Sequence, residues 1–157
     1  MSDRGEHRLK SVVIDKDSLA ALSPEVEHER QVAIVDLLER NTFRPEGAPT
    51  GPYDLRLACL DNRLGLQITG PGYARAQVLS LTPFRGHIRD YQMICASYHE
   101  AMREASPAQI EAIDMGRRGI HNEAAELLRE RLKGKVETDL DTARRLFTLI
   151  CALRWRA

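Results

Sequence analysis

The segment from Tyr53 to Ile68 constrains this chain more than any other. Tyr53, Leu55, Leu57 and Cys59 alternate with Asp54, Arg56 and Ala58, the two-residue period of a strand with one buried face. Asp61-Asn62 supplies a two-residue turn, because both residue types tolerate positive φ. With that turn Cys59 faces Leu64, Leu57 faces Leu66 and Leu55 faces Ile68, so every apolar pair falls on one side. A slip of one residue sends the whole set to the wet side, so the register is strongly specified. Gly70-Pro71-Gly72 opens a second turn, and Val78 to Leu81 returns as a further strand. Leu9 to Ile14, rich in β-branched residues, reads as an edge strand. An antiparallel meander with one apolar face calls for helices over that face.

The helices are written in the rest of the chain. Ser23-Pro24 is an N-cap followed by proline at the first helical position. Val26, Ala33, Ile34, Leu37 and Leu38 then recur at helical spacing to about Asn41. Residues 44–52 carry a proline or glycine every two or three positions and read as a mobile loop. Residues 1–8 read as a mobile tail. Thr82-Pro83 caps a helix whose residues Phe84, Ile88, Tyr91, Cys95, Tyr98 and Met102 make a continuous core stripe. Ser106-Pro107-Ala108-Gln109 is a capping box. Gly116 and Gly119 interrupt the helix it opens, and Asn122 caps a further segment with Ala124, Leu127, Leu128 and Leu132. The last helix starts near Asp139 or Asp141. Its residues from Leu146 to Leu153 are apolar nearly all round, which suits the centre of a core or a subunit interface. The expected architecture is one α+β domain over residues 1–157. It has a small antiparallel meander of three to four strands, with four to five helices packed on one face.

Composition narrows the class. The 157 residues carry 23 Lys and Arg against 23 Asp and Glu, and 43% are apolar, the usage of a folded globular chain. No run reaches the ~20 apolar residues of a membrane helix. The N-terminal Met1 to His7 leads into no apolar segment, so no signal peptide is read there. Three widely spaced cysteines fit neither a disulfide framework nor a zinc site. The expected compartment is the cytoplasm. Charge is uneven: residues 114–157 hold 10 cations and 7 anions, eight of the cations being Arg. That excess is too small to signal nucleic-acid binding. Glu25 and His28 have the spacing of a helical metal-ligand pair, but a di-metal bundle needs it twice. The acidic stretch reads instead as the solvated first turn of a helix. No metal and no cofactor are expected. Cys95 and His99 lie four apart, with Cys95 on the apolar stripe, where a buried thiol is inert.

Asp114 to Glu123 is the one concentrated polar cluster. It holds Arg117, Arg118, His121 and Asn122 between two carboxylates, at the expected helix break. A helix restarting at Asn122 offers free N–H groups, and these can converge with guanidinium groups on one anion. Arg144-Arg145, at the start of the last helix, add a second pair. The alternative is an internal ion-pair network with Asp114, Glu123, Asp139 and Asp141.

The runs Leu81-Thr82-Pro83-Phe84-Arg85, Ile113 to Glu123, and Thr142-Ala143-Arg144-Arg145-Leu146-Phe147-Thr148-Leu149 resemble a small bacterial family, uncharacterised protein family 0262. The resemblance covers nearly the whole chain and implies no catalytic residues. The reading preferred from the sequence is a binding or regulatory protein recognising an anionic small molecule or protein partner. Arg117, Arg118, Asn122, Arg144 and Arg145 are its binding residues, with His121 as a neutral hydrogen-bonding partner. The rival is an enzyme on a phosphorylated or carboxylated substrate, with His121 as general acid/base oriented by Asp114 or Glu123. A third reading is a structural homo-oligomer, a homodimer joined through the C-terminal helix and Trp155. No membrane partner is expected.

Overall fold

The computed structural model describes residues 6–19 and 23–153. Strands β3 (Tyr53–Leu60) and β4 (Arg63–Gly70) pair antiparallel with Leu55 opposite Ile68, Leu57 opposite Leu66 and Cys59 opposite Leu64. All six of these side chains are buried. Asp61 closes the turn at φ 55°, a conformation that a short polar side chain accepts. Strand β5 (Tyr73–Ser80) continues the meander beside β4, beginning five residues before Val78.

The edge strand β1 (Leu9–Ile14) runs parallel to β3, so the four-stranded sheet, ordered β1-β3-β4-β5, is mixed. The reason is helix α1 (Pro24–Glu39), which lies between them in the chain. A crossover of that length returns the next strand in the same direction. Strands β2 (Phe43–Pro45) and β6 (Val136–Thr138) form a separate two-stranded sheet. Three-residue strands carry too little alternation to be read from sequence.

Helices α2 (Arg85–Glu104), α3 (Pro107–Leu132) and α4 (Leu140–Ala152) complete the described fold. α2 packs on α3, α3 on α4 and α4 on α1. Helix α4 is the centre of this arrangement: Leu146, Phe147, Leu149 and Ile150 are all buried within the chain. Its apolar circumference is thereby accounted for without a second subunit, while Trp155 lies outside the described residues.

Three local expectations need correction. First, α3 runs unbroken through Gly116 and Gly119. An interior glycine costs about 1 kcal/mol relative to alanine. A 26-residue helix with an intact Ser106–Gln109 capping box and packed neighbours absorbs that. Asn122 is therefore an exposed interior residue of α3, not a cap. Second, Thr82-Pro83 lie in a 3₁₀ turn, and α2 starts at Arg85 without a side-chain cap. Third, only Phe84 and Ile88 of the α2 stripe are fully buried.

Residues 6–8 and the 44–52 segment hold one another. The His7 carbonyl accepts from Phe43 N–H at 2.9 Å and the Arg8 carbonyl from Tyr53 N–H at 2.9 Å, at the two ends of the segment, and within it the Thr50 hydroxyl donates to the Glu6 carboxylate. A Cβ on Gly51 would stand 1.8 Å from the Glu6 carbonyl oxygen, so only glycine admits this approach.

Candidate functional site

Because α3 is continuous, Asp114, Arg117, Arg118 and His121 stand on successive turns of one helix, with no free N–H groups at Asn122. The Asp114 carboxylate accepts from Arg117 Nη2 at 2.5 Å, from Arg118 Nε at 2.9 Å, and from Arg118 Nη2. The hydrogen bonds from Arg118 and then Arg117 hold its carboxyl below the usual carboxylate range. Across the groove to α2, the Arg117 guanidinium lies 4.5 Å from the centre of the Tyr98 ring, a cation–π contact.

One turn on, the His121 ring stacks on Tyr91 at 5.1 Å and leans on Phe147 at 5.8 Å. His121 Nε2 is 2.8 Å from the Arg144 carbonyl oxygen and 2.9 Å from Thr148 Oγ1. A carbonyl only accepts, so Nε2 carries the proton of the neutral ring. Burial pushes the imidazole pKa down, and the Arg144 and Arg117 charges add to this against the pull of the Arg144 carbonyl. Among the described residues no carboxylate hydrogen-bonds the ring. Asp114 is committed to two guanidinium groups, and Glu123 is exposed. Burial, with Cys95 and Cys151 nearby, pushes Tyr91 up to about 12.

The second arginine pair divides. Arg144 Nη1 lies 3.8 Å from Asp141 Oδ1, on the His121 side. Arg145 Nη1 turns to α1 and donates to the carbonyls of Asp36 at 2.5 Å and Arg40 at 3.4 Å. Those are orphan acceptors at the end of α1, so Arg145 serves as its cap. Arg117, Arg118, Asp114, His121 and Arg144 are thus brought together, and Arg145, Asn122 and Glu123 are not.

Sequence reasoning missed the apolar half of this surface by assigning it to the core. No described residue between Ile88 and Ala124 is buried. The stripe on α2 is covered at Phe84 and Ile88 and half-buried at Tyr91, Cys95 and Tyr98. It ends at Met102, which is 58% exposed. It outruns the core because α4 ends below it, leaving the distal halves of α2 and α3 mainly each other to pack on. The signal was present as a stripe longer than the core of so small a domain needs.

An α+β core carrying an extended helical hairpin is the class these elements define. The chain belongs to the Uncharacterised protein family (UPF0262), which matches residues 6–156, as the three sequence runs implied. It is 68% identical over 153 residues to a UPF0262 protein of Phenylobacterium zucineum, covering 98% of this chain and 96% of the relative. A UPF0262 protein of Caulobacter vibrioides is 64% identical over 153 residues, with the same coverage. One of Rhizobium johnstonii is 56% identical over 156 residues, covering 98% of each chain. No solved structure matches this chain. Among the described residues no helix is long and apolar enough to cross a membrane.

Proposed function

We propose that this is a cytoplasmic, non-catalytic binding protein whose α2–α3 hairpin docks an amphipathic segment of a partner protein. Arg117 and Arg118 pair with a carboxylate on that segment. The observation that carries the reading is the Arg117 side chain, 34% exposed and held between Asp114 and the Tyr98 ring, beside an apolar stripe that ends in the open. Arginine, tyrosine and methionine are enriched in protein interfaces, and arginine and tyrosine also where the binding energy concentrates. Arg117 is already oriented, so little side-chain freedom remains to be lost on binding. Asp114 offsets one of the two guanidinium charges it touches, and the remaining positive charge suits an acidic residue. A free small anion has less to gain here, because the expected N–H groups at Asn122 are spent inside α3. Catalysis by His121 is disfavoured by its hydrogen bond to the Arg144 carbonyl and by the absence of a carboxylate partner.

The test places a photocrosslinking residue at Met102, or as a control at exposed Leu60 on the sheet. The protein is expressed in Caulobacter cells lacking their own relative. A discrete adduct at position 102, absent at position 60 and lost in Arg117→Glu, is the expected result. The captured peptide should pair apolar residues with an acidic one. An adduct to a second copy of this chain would replace the heterologous partner with a homo-oligomer. No adduct at position 102, or one indifferent to Arg117→Glu, would overturn the reading.

A further inference from the structure

A second site, independent of the hairpin, lies where the chain's N-terminal segment meets β2, the end of α3 and the β6–α4 link. A cavity of about 440 Å³ opens there, within the range of small-molecule sites. His7 and Thr138, each only 5% exposed, both line it. His7 Nδ1 is 2.7 Å from the Tyr53 hydroxyl, which fixes the ring. The Thr138 hydroxyl is buried and has no hydrogen-bond partner among the described residues.

Two guanidinium groups share the cavity. Arg129 gives its Nε–H to the Thr138 carbonyl at 3.2 Å, leaving its terminal nitrogens uncommitted, and Arg44 stands on the exposed side of β2. Neither forms an ion pair among the described residues. Of the two lining carboxylates, Asp139 is already engaged: it accepts from Thr142 N–H at 2.8 Å as the N-cap of α4, and from the Thr42 hydroxyl at 3.4 Å. The other, Glu137, stands opposite Arg44 in the β2–β6 register, so the free charges of the cavity are two guanidinium groups against one carboxylate. Beyond Arg129 an adjoining depression of about 480 Å³ reverses the balance, with Glu46, Glu126, Glu130 and Glu137 facing Lys133 and Arg129.

We infer that this cavity binds a small zwitterionic ligand. Its oxyanion, phosphate or carboxylate, is held by Arg44, Arg129 and His7, and its amino group lies in the acidic depression beyond Arg129. Guanidinium forks match either oxyanion. The order of charges along the two depressions sets the ligand's polarity.

Calorimetric titration at matched ionic strength, with inorganic phosphate, phosphoethanolamine and β-alanine as probes, tests this. Chemical-shift mapping locates the binding. Saturable binding of phosphoethanolamine or β-alanine, several-fold tighter than inorganic phosphate, is expected. Which of the two binds tighter identifies the oxyanion. Arg44→Gln should weaken binding at least tenfold while leaving the fold unchanged, since Arg44 makes no ion pair. Arg129→Gln should weaken binding to a similar extent, since its terminal nitrogens face the same cavity lining. No saturable binding by any probe would overturn the inference, as would affinities unaffected by both substitutions. Phosphate binding with no gain from the amino group would overturn the zwitterionic ligand. None of these results touches the hairpin reading, whose readout is crosslinking at position 102.

Discussion

His121 and Thr138 show how much single polar groups decide in this molecule. His121 is held neutral in the fold by burial and by the neighbouring guanidinium charges, so its folded pKa lies below its unfolded value. Above about pH 6.5 both states are neutral and the stabilisation is complete. As the pH falls the unfolded state takes the proton first, and stability is lost progressively down to the folded pKa. The stability difference between wild type and His121→Gln should therefore be largest at pH 7 and narrow towards pH 5, as denaturant titrations across that range would show. Thr138 points the other way. Removing a buried hydroxyl that has no partner among the described residues relieves a desolvation cost, so Thr138→Val should stabilise the protein by about 1 kcal/mol. A denaturation midpoint moved in the opposite direction would mean the hydroxyl has a partner. The membership of the α3 cluster was legible in the sequence, because residues on neighbouring turns of one helix must meet. Its pairing was not. Arg145 serves carbonyls 109 and 105 residues away, and His7 meets Tyr53 across 46, distances at which no local pattern informs.

Among the elements, the β3–β4 hairpin was readable to the residue because a period of two leaves no tolerance for slippage. Leu57, wholly buried opposite Leu66, is its most sensitive point. Leu57→Asp should cost about 3 kcal/mol or more, and a loss under about 0.5 kcal/mol in chemical denaturation would contradict its place in the core. Helix α3 was misread for the opposite reason. Glycine is a weak signal inside a long helix, and tertiary packing overrides it. The two glycines separate cleanly. A Cβ at Gly119 meets nothing within 4 Å, whereas one at Gly116 would stand 2.9 Å from Ile94 Cδ1 on α2. Gly119→Ala should stabilise by about 0.5–1 kcal/mol. Gly116→Ala should gain less, because Ile94 must shift. Equal gains in thermal melts would show that α2 and α3 do not approach closely at that level. The parallel pairing of β1 was hidden because the strand's own sequence does not record its direction. That is set by α1, the element that follows.

At the scale of the molecule, the fold separates what is packed from what is presented. Helix α4 is enclosed by α1 and α3, while the far ends of α2 and α3 stand clear. Leu149→Asp should therefore unfold the chain, with no change in sedimentation until it does. Dissociation of an otherwise folded oligomer would place α4 in a subunit contact. The enclosure has a bearing on how the protein is made. Arg30 is buried in α1, and its guanidinium donates to the carbonyls of Ala152 at 2.9 Å and Leu153 at 2.6 Å, 122 and 123 residues further on. A charge so enclosed is tolerable only once its acceptors exist. While the ribosome is still translating α4, α1 lacks its neighbour and Arg30 has only Glu27, 3.4 Å away on its own helix, without the two carbonyls. A nascent chain that lacks α4 therefore exposes an unfinished core, the kind of surface on which folding intermediates aggregate.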